Sequence, residues 1–236
     1  VAFWLIDWSG AAITMQHFFF AGGLGVMAVG IYLSFNDNTA LATVTGKKLR
    51  YKKRYWLYYV LQFLSGTRRH IFTTFAIFLL VMVHRVSVKE ITLLIFINSI
   101  LSYFIFKKAG SIINYFGERC VLITLYTILV GIFTGYAFID NLWILFLFFI
   151  ADHILFGFNM ALETYLKKTA RPEDITSNIS AGVTINHLSA IVIPIIGGLV
   201  WDLLGFEITF LFGAGVAFIS LLFCLMLESN PTVPEK

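Results

Sequence analysis

The sequence predicts an all-α polytopic membrane protein. Hydrophobic residues make up 59% of the chain and charged residues only 13%, whereas a soluble domain carries about 25% charged residues. Apolar runs of about 20 residues, the length that crosses a ~30 Å hydrocarbon core as a helix, recur along the chain. A secretory signal would give one short apolar stretch followed by polar sequence, so this repetition excludes that class.

Seven segments have the length and composition of a membrane-spanning helix. They are residues 11–35, 56–83, 90–106, 120–139, 142–166, 177–200 and 205–228. The longest polar gap separates the first segment from the other six, and the remaining gaps are short, as expected for antiparallel neighbours in a bundle. The predicted organisation is therefore a first helical region at 1–36, a basic linker at 37–55, a six-helix bundle at 56–228 and a tail at 229–236.

Basic residues concentrate on one side of the predicted bundle. Of the 17 Lys and Arg residues, 13 fall in the linker, in alternate gaps and in the tail, two fall in the other gaps and two lie within a span. Because Lys and Arg accumulate on cytoplasmic loops, the linker and C-terminus are predicted to be cytoplasmic, in a plasma or inner membrane. The linker run GKKLRYKKR also suits acidic lipid headgroups. The net charge of +4 thus reflects topology and does not indicate nucleic-acid binding.

The two ends of the chain contain similar short patterns. FWLIDWSG precedes FFFAGGLG near the start, and LVWDLLG precedes FLFGAGVA near the end. Phe18 and Phe210, which begin the second element of each pattern, are 192 residues apart. That spacing suits one six-helix unit, and parallel six-helix repeats occur in transporters. We therefore expect residues 1–9 and 11–35 to belong to a first bundle whose other helices are absent from this sequence.

Two local motifs add to this organisation. AGSIINYFGER, between the third and fourth segments, contains Gly110, Asn114, Gly117 and Arg119. The stretch ARPEDITSNISAGVTINHLSAIVIPIIGGLVWDLLG starts with acidic residues, is rich in small residues and contains Pro194. With these motifs, the position of the linker and the repeat, the chain resembles the major facilitator superfamily from the end of its helix 5 through helix 12.

The resemblance implies a six-helix bundle, part of a second bundle, and a central cavity bordered by the second, fifth and sixth segments. AGSIINYFGER is similar to the family's cytoplasmic loop motif, G-x-x-x-D-x-x-G-R-R/K, with Asn114 in place of the acidic residue. We expect Gly110 and Gly117 to flank a tight turn at which helix ends approach closely. Arg119 either binds free carbonyl groups at a neighbouring helix end, as part of a cytoplasmic gate, or is only a topology charge.

The second segment contains two arginines in its interior. Arg69 lies roughly 19 Å along the helix from Trp56 at 1.5 Å per residue. An arginine at the bilayer centre costs at least ~2.5–3.5 kcal/mol, so such residues face a cavity or a counter-charge. One polar stripe at helical spacing is formed by Gln62, Ser65, Arg69 and Thr73. Arg69 is therefore the first candidate to line a cavity, and Arg68 is the second. Their forked donors suit a carboxylate or phosphate group.

The fifth and sixth segments also contain polar residues near mid-depth. Asp152 and His153 lie near the midplane of the fifth segment, where Asn159 and Glu163 continue the face of Asp152. In the sixth, Asn178, Gly182, Asn186 and Ser189 share one face and His187 lies on another. The predicted substrate-binding residues are Arg69, Arg68, Gln62, Asn159 and Asn186. The predicted proton-coupling residues, whose protonation changes at accessible pH, are Asp152, His153 and His187. The alternatives are a structural ion pair between Arg69 and Asp152 and histidines that only pack between helices.

Three function classes compete. The first is a secondary transporter that moves a small, anionic or polar solute by alternating access, with protons as a candidate coupling ion. The second is a transporter-like scaffold or assembly factor that binds a pigment, a lipid or a partner protein. The third, an enzyme, is disfavoured because the sequence has no HExxH or comparable metal-ligand spacing. No cofactor or metal is predicted, and inward-facing charges favour the transporter.

Overall fold

The computed structural model describes residues 15–35 and 52–229, with side chains at 20–32 and 52–229. Contacts divide the chain into two units, Val1–Lys47 and Lys48–Lys236. The first unit contributes α1, Met15–Phe35, which falls within the predicted segment 11–35. The predictions for residues 1–9, for most of the basic linker and for most of the tail lie outside the described residues.

The second unit consists of helices. They are α2 (Trp56–Ile71), α3 (Val88–Phe116), α4 (Glu118–Phe138), α5 (Leu142–Gly157), α6 (Met160–Thr169), α7 (Pro172–Leu204) and α8 (Phe206–Leu225). A 3-10 turn at Lys53–Tyr55 precedes α2, and two π-helical segments, Phe72–Ala76 and Leu79–Val83, follow it.

Six stretches of this unit are helical, long and apolar enough to cross a membrane. They are Lys53–Val83, Val88–Phe116, Glu118–Phe138, Leu142–Thr169, Pro172–Leu204 and Phe206–Leu225. Each corresponds to one predicted span. The prediction of an all-α polytopic membrane protein is therefore confirmed.

Local sequence signals account for the main helix boundaries. Ser87 and Glu90 form a reciprocal capping box at the start of α3, which satisfies two otherwise free N–H groups. Asn141 accepts bonds from the first N–H groups of α5. Gly117 alone joins α3 to α4 with a φ of 82°, a left-handed conformation that glycine adopts without a steric penalty.

The structure corrects the predicted end of the third span. The sequence predicted an end at residue 106, but α3 continues to Phe116. Lys107 and Lys108 extend the helix because long basic side chains reach toward polar surroundings while their stems stay on apolar surface. Gly110 therefore lies inside α3, exposed and with open space around its Cα. The expectation that Gly110 flanks a tight turn is wrong, and only Gly117 forms the turn.

Helix α2 packs closely along α7. A Cβ atom at Gly66 would lie 2.6 Å from the backbone oxygen of Asn186, and one at Gly182 would lie 2.5 Å from the Tyr58 hydroxyl. Small residues at such points let membrane helices approach without separating their backbones. The other extensive pair is α4 with α8, where Tyr126, Phe133 and Phe210 are fully buried.

Polar contacts join the helix ends on the side where α2 begins. Lys52 Nζ lies 2.6 Å from Asp174 Oδ1 of α7, and Lys168 Nζ of α6 lies 2.6 Å from Glu118 Oε1 of α4. Arg119 donates to the backbone oxygen of Leu225 at 2.9 Å, at the end of α8. The carbonyl contact expected of Arg119 is thus present. We call this side, which contains the basic gaps, the basic end.

Candidate functional site

Arg68 and Asp152 form an ion pair inside the helical bundle. Arg68 Nη1 lies 2.8 Å from Asp152 Oδ1, and the two side chains are 0% and 2% exposed. The pair joins the end of α2 to the middle of α5 within the second unit. The predicted alternative placed Arg69 in this pair, and that partner assignment is wrong. The prediction that Arg68 lines the cavity is also wrong, because its guanidinium is fully enclosed.

Arg69, the next residue, lines a cavity of about 300 Å³. Its guanidinium carbon lies 4.3 Å from the centre of the Phe156 ring, within the range of a cation–π contact. Arg69 is half-buried, and no ion pair to it occurs among the described residues. Consecutive helical residues differ by about 100° in direction, which is why Arg68 and Arg69 have different environments.

Helices α2, α5, α6 and α7 form the cavity wall. Its lining residues are Gln62, Ser65, Arg69, Phe156, Gly157, Asn159, Met160, Glu163, Val183, Asn186 and His187. Four of the five residues predicted to bind substrate are in this set, and Arg68 is the exception. The structure therefore brings together polar groups from three predicted spans.

The carboxamides of the cavity are held by hydrogen bonds, from Asn159 and Asn186 to the neighbouring helix α2 and from Gln62 within α2 itself. Asn159 donates to Ser65 Oγ at 2.7 Å, and Asn186 donates to the backbone oxygen of Gln62 at 3.3 Å. Gln62 donates to the Tyr58 hydroxyl at 3.1 Å. Asn159 also accepts a bond from the Tyr126 hydroxyl at 3.5 Å. Each amide thus has a fixed direction, and the lone pairs and N–H positions that these bonds leave unused are available for other partners.

The membrane span that carries Asn159 is interrupted beside the cavity. Helix α5 ends at Gly157 and α6 begins at Met160. The N–H groups around the break bond three residues back, as in Asn159 to the oxygen of Phe156 at 3.0 Å. Irregular backbone at this depth is tolerated where it lines a cavity or is buried in protein, and this break does line the cavity.

The histidines separate into different environments. His187 lines the cavity, whereas His153 is exposed and is not among the lining residues. Asp152 is enclosed in its pair with Arg68. Of the three residues predicted to couple protons, only His187 therefore reaches the cavity. Among the described residues no group of three His, Cys, Asp or Glu side chains is placed to hold a metal ion.

Six of the lining residues were absent from the predicted site, and two of them bear directly on its electrostatics. Phe156 supplies the ring beneath Arg69, and Glu163 supplies a carboxylate. The stripe through Asn159 had already placed Glu163 on the correct face, so its helical spacing was a usable signal. Phe156 gave no signal, because the sequence has 25 phenylalanines and most of them suit a lipid-facing position equally well.

The predicted gate residues lie at the basic end, away from this cavity. Gly117 forms the turn between α3 and α4, and Arg119 contacts the end of α8 through Leu225 and through Ser229 Oγ at 2.7 Å. Asn114 is exposed on α3. These contacts lie within the second unit.

A comparison with protein families gives one match. The model of the Major Facilitator Superfamily matches residues 58–236, a range that includes the Arg69 cavity and nearly all of the six spans. A comparison with curated proteins finds no match. The family model covers well over half of the chain, so the chain belongs to the Major Facilitator Superfamily, a family of membrane transporters.

Proposed function

We propose that the protein is a secondary active transporter that moves a small anionic or polar solute by alternating access. In this proposal Arg69 binds the anionic group, and Gln62, Asn159 and Asn186 orient the solute through their carboxamides. The cavity's volume of about 300 Å³ is at the lower end of the range for small-molecule sites.

The contrast between the two arginines carries the proposal. The charge of Arg68 is matched by Asp152 at 2.8 Å, whereas the half-buried Arg69 contacts the Phe156 ring and has no ion pair within the described part of the chain. A cation within a membrane span is costly unless it has a counter-charge or a wet cavity. An anionic solute would supply the missing counter-charge to Arg69.

The proposal includes the remaining parts of an alternating-access carrier. A second bundle, of which α1 is one helix, would supply the other half of the carrier, as in transporters built from two six-helix repeats. The basic end would face the cytoplasm, because basic residues accumulate there, and the membrane would be the plasma or inner membrane. Arg119, with its contact to the end of α8, would belong to the cytoplasmic gate.

Proton coupling is assigned in this proposal to His187. It lines the same cavity as Arg69 and Glu163, and His70 is its neighbour on α2. An imidazole exchanges protons near neutral pH, and the charge on bound solute would influence that exchange. Asp152 and His153 remain sequence predictions for this role. The variants Asp152→Asn and His153→Gln test them in the uptake assay with an imposed pH gradient described below. Neither side chain lines the cavity.

Family membership favours a transporter over the scaffold and over an enzyme. A scaffold has no need of an inward cation without a counter-charge, and binding of a pigment or lipid would not require the polar lining. The scaffold hypothesis therefore serves as the alternative outcome of the experiment below.

The test is uptake of a panel of small anionic and polar solutes, zwitterions included, into proteoliposomes, with and without an imposed pH gradient. Loss of one charged hydrogen bond costs ~1.5–3 kcal/mol, so Arg69→Ala is expected to lower uptake at subsaturating solute roughly 10–100-fold. Lys107→Ala is the matched control, because Lys107 is a basic residue of α3 outside the cavity. Unchanged uptake by the folded Arg69→Ala variant, or no uptake of any solute of the panel by the parent, would refute the proposal.

A further inference from the structure

The Arg69 cavity contains a cation and an anion that do not pair with each other. Arg69 and Glu163 both line it and both are half-buried. Within residues 15–35 and 52–229, neither has an ion pair. Arg69 contacts the ring of Phe156, and that ring offers no negative charge.

The two charges lie at different levels of the cavity. Arg69 stacks on Phe156, and Glu163 follows Phe156 by seven residues, across the break between α5 and α6. Helix α6 runs toward the basic end, so Glu163 lies nearer that end than Arg69. Tyr58 of α2 is an electrostatic neighbour of Glu163, so the two residues lie at about the same level of the bundle.

Carboxamides occupy the space between these levels. Asn159 lies between Phe156 and Glu163 along the chain and is fixed by Ser65. Asn186 faces it from α7 and is fixed by the backbone of Gln62. The wall therefore presents, in order, a guanidinium, neutral hydrogen-bonding groups and a carboxylate.

We propose that the cavity selects a linear dipolar solute, with an anionic group bound by Arg69 and a cationic ammonium group bound by Glu163. Such a molecule matches both unpaired charges at once, whereas a simple anion would leave the carboxylate of Glu163 beside it without a partner. The separation of the two charges favours a zwitterion whose charged groups are several carbon atoms apart. This inference rests on the proposed function, since it names the substrate class of the same site.

Four probes of equal chain length isolate each charge. They are 6-aminohexanoate, with both charges, hexanoate, with the anion alone, hexylammonium, with the cation alone, and the dianion adipate. Binding of each to the purified full-length protein is measured by calorimetry and by uptake competition in proteoliposomes. Because a charged hydrogen bond changes affinity by ~10-fold or more, the parent is expected to bind 6-aminohexanoate at least about 10-fold more tightly than the other three.

The variants assign each charge to its residue. Glu163→Gln is expected to abolish the preference for 6-aminohexanoate over hexanoate while retaining hexanoate binding. Arg69→Gln is expected to abolish the preference for 6-aminohexanoate over hexylammonium. Glu163→Lys is expected to shift the preference to adipate. Glu173→Gln, at an exposed acidic residue of α7, is the matched control and should bind as the parent does.

The outcomes separate this inference from the proposed function. If the parent takes up hexanoate as well as 6-aminohexanoate, and uptake depends on Arg69 but not on Glu163, the dipolar class is refuted and the transporter stands. If the probes bind with the expected preferences but no solute crosses the membrane, the proposed function is refuted and the dipolar site stands. Absence of binding by all four probes would overturn the dipolar class.

Discussion

The Arg68–Asp152 pair gives the sharpest test of the fold. Arg68→Ala leaves the carboxylate of Asp152 enclosed, with a side-chain exposure of 2%, and without its counter-charge. We expect a large loss of stability from this change. The double variant Arg68→Met with Asp152→Leu removes both charges and keeps similar side-chain volumes, so we expect it to be near the parent or more stable.

The magnitude follows from the geometry of the pair. Two unit charges ~4 Å apart attract each other by about 4 kcal/mol at an effective dielectric constant of ~20. Removal of one partner from a buried pair costs ~3–5 kcal/mol, whereas replacement of both by apolar residues is often neutral or stabilising. The parent pair is itself incompletely satisfied, because Arg68 Nε and Nη2 have no hydrogen-bond partner among the described residues.

The assay is thermal unfolding of the detergent-solubilised protein, followed by tryptophan fluorescence. At ~2–4 °C per kcal/mol for a unit of this size, Arg68→Ala should lower Tm by about 6–20 °C. The single variants Arg68→Met and Asp152→Leu complete a double-mutant cycle that isolates the interaction. A Tm within ~2 °C of the parent for Arg68→Ala, or a double variant as unstable as the two singles combined, would show that the pair does not contribute as argued.

Two further predictions concern helix packing. Gly66→Ala is expected to lower the free energy of unfolding by ~1–3 kcal/mol, because the new Cβ would lie 2.6 Å from the backbone oxygen of Asn186. The control Gly110→Ala, in open space inside α3, should leave it unchanged or raise it by ~0.5–1 kcal/mol. Equal Tm values for the two variants would contradict the close approach of α2 and α7. Arg119→Ala removes the hydrogen bond to the backbone oxygen of Leu225 and should increase amide hydrogen exchange in residues 222–229. Tm should change little, since single partly exposed contacts contribute ~1 kcal/mol or less. Unchanged exchange in these residues would count against that contact.

The sequence predicted the spans and the polar stripe well, and the pairing of charges poorly. Stripe spacing on the second segment placed Arg69 with Gln62, Ser65 and Thr73, and all of these except Thr73 line the cavity. The same spacing could not assign the partner of Asp152, because that depends on how α2 and α5 are rotated about their axes. The third span was predicted too short, since two lysines in a row resemble a span end, yet α3 continues to Phe116.

The sequence by itself determined that the protein crosses a membrane, and how often within residues 56–228. The reason is that a bilayer imposes a length and a polarity on each span that can be read along the chain. Only the tertiary structure decided that Arg68 is matched by Asp152, while Arg69 and Glu163 face one cavity with no ion pair to another residue that the structure describes. Adjacent helical residues differ by about 100° in direction, so the packing of α2 against α5, α6 and α7 selects which charge is enclosed and which faces the cavity.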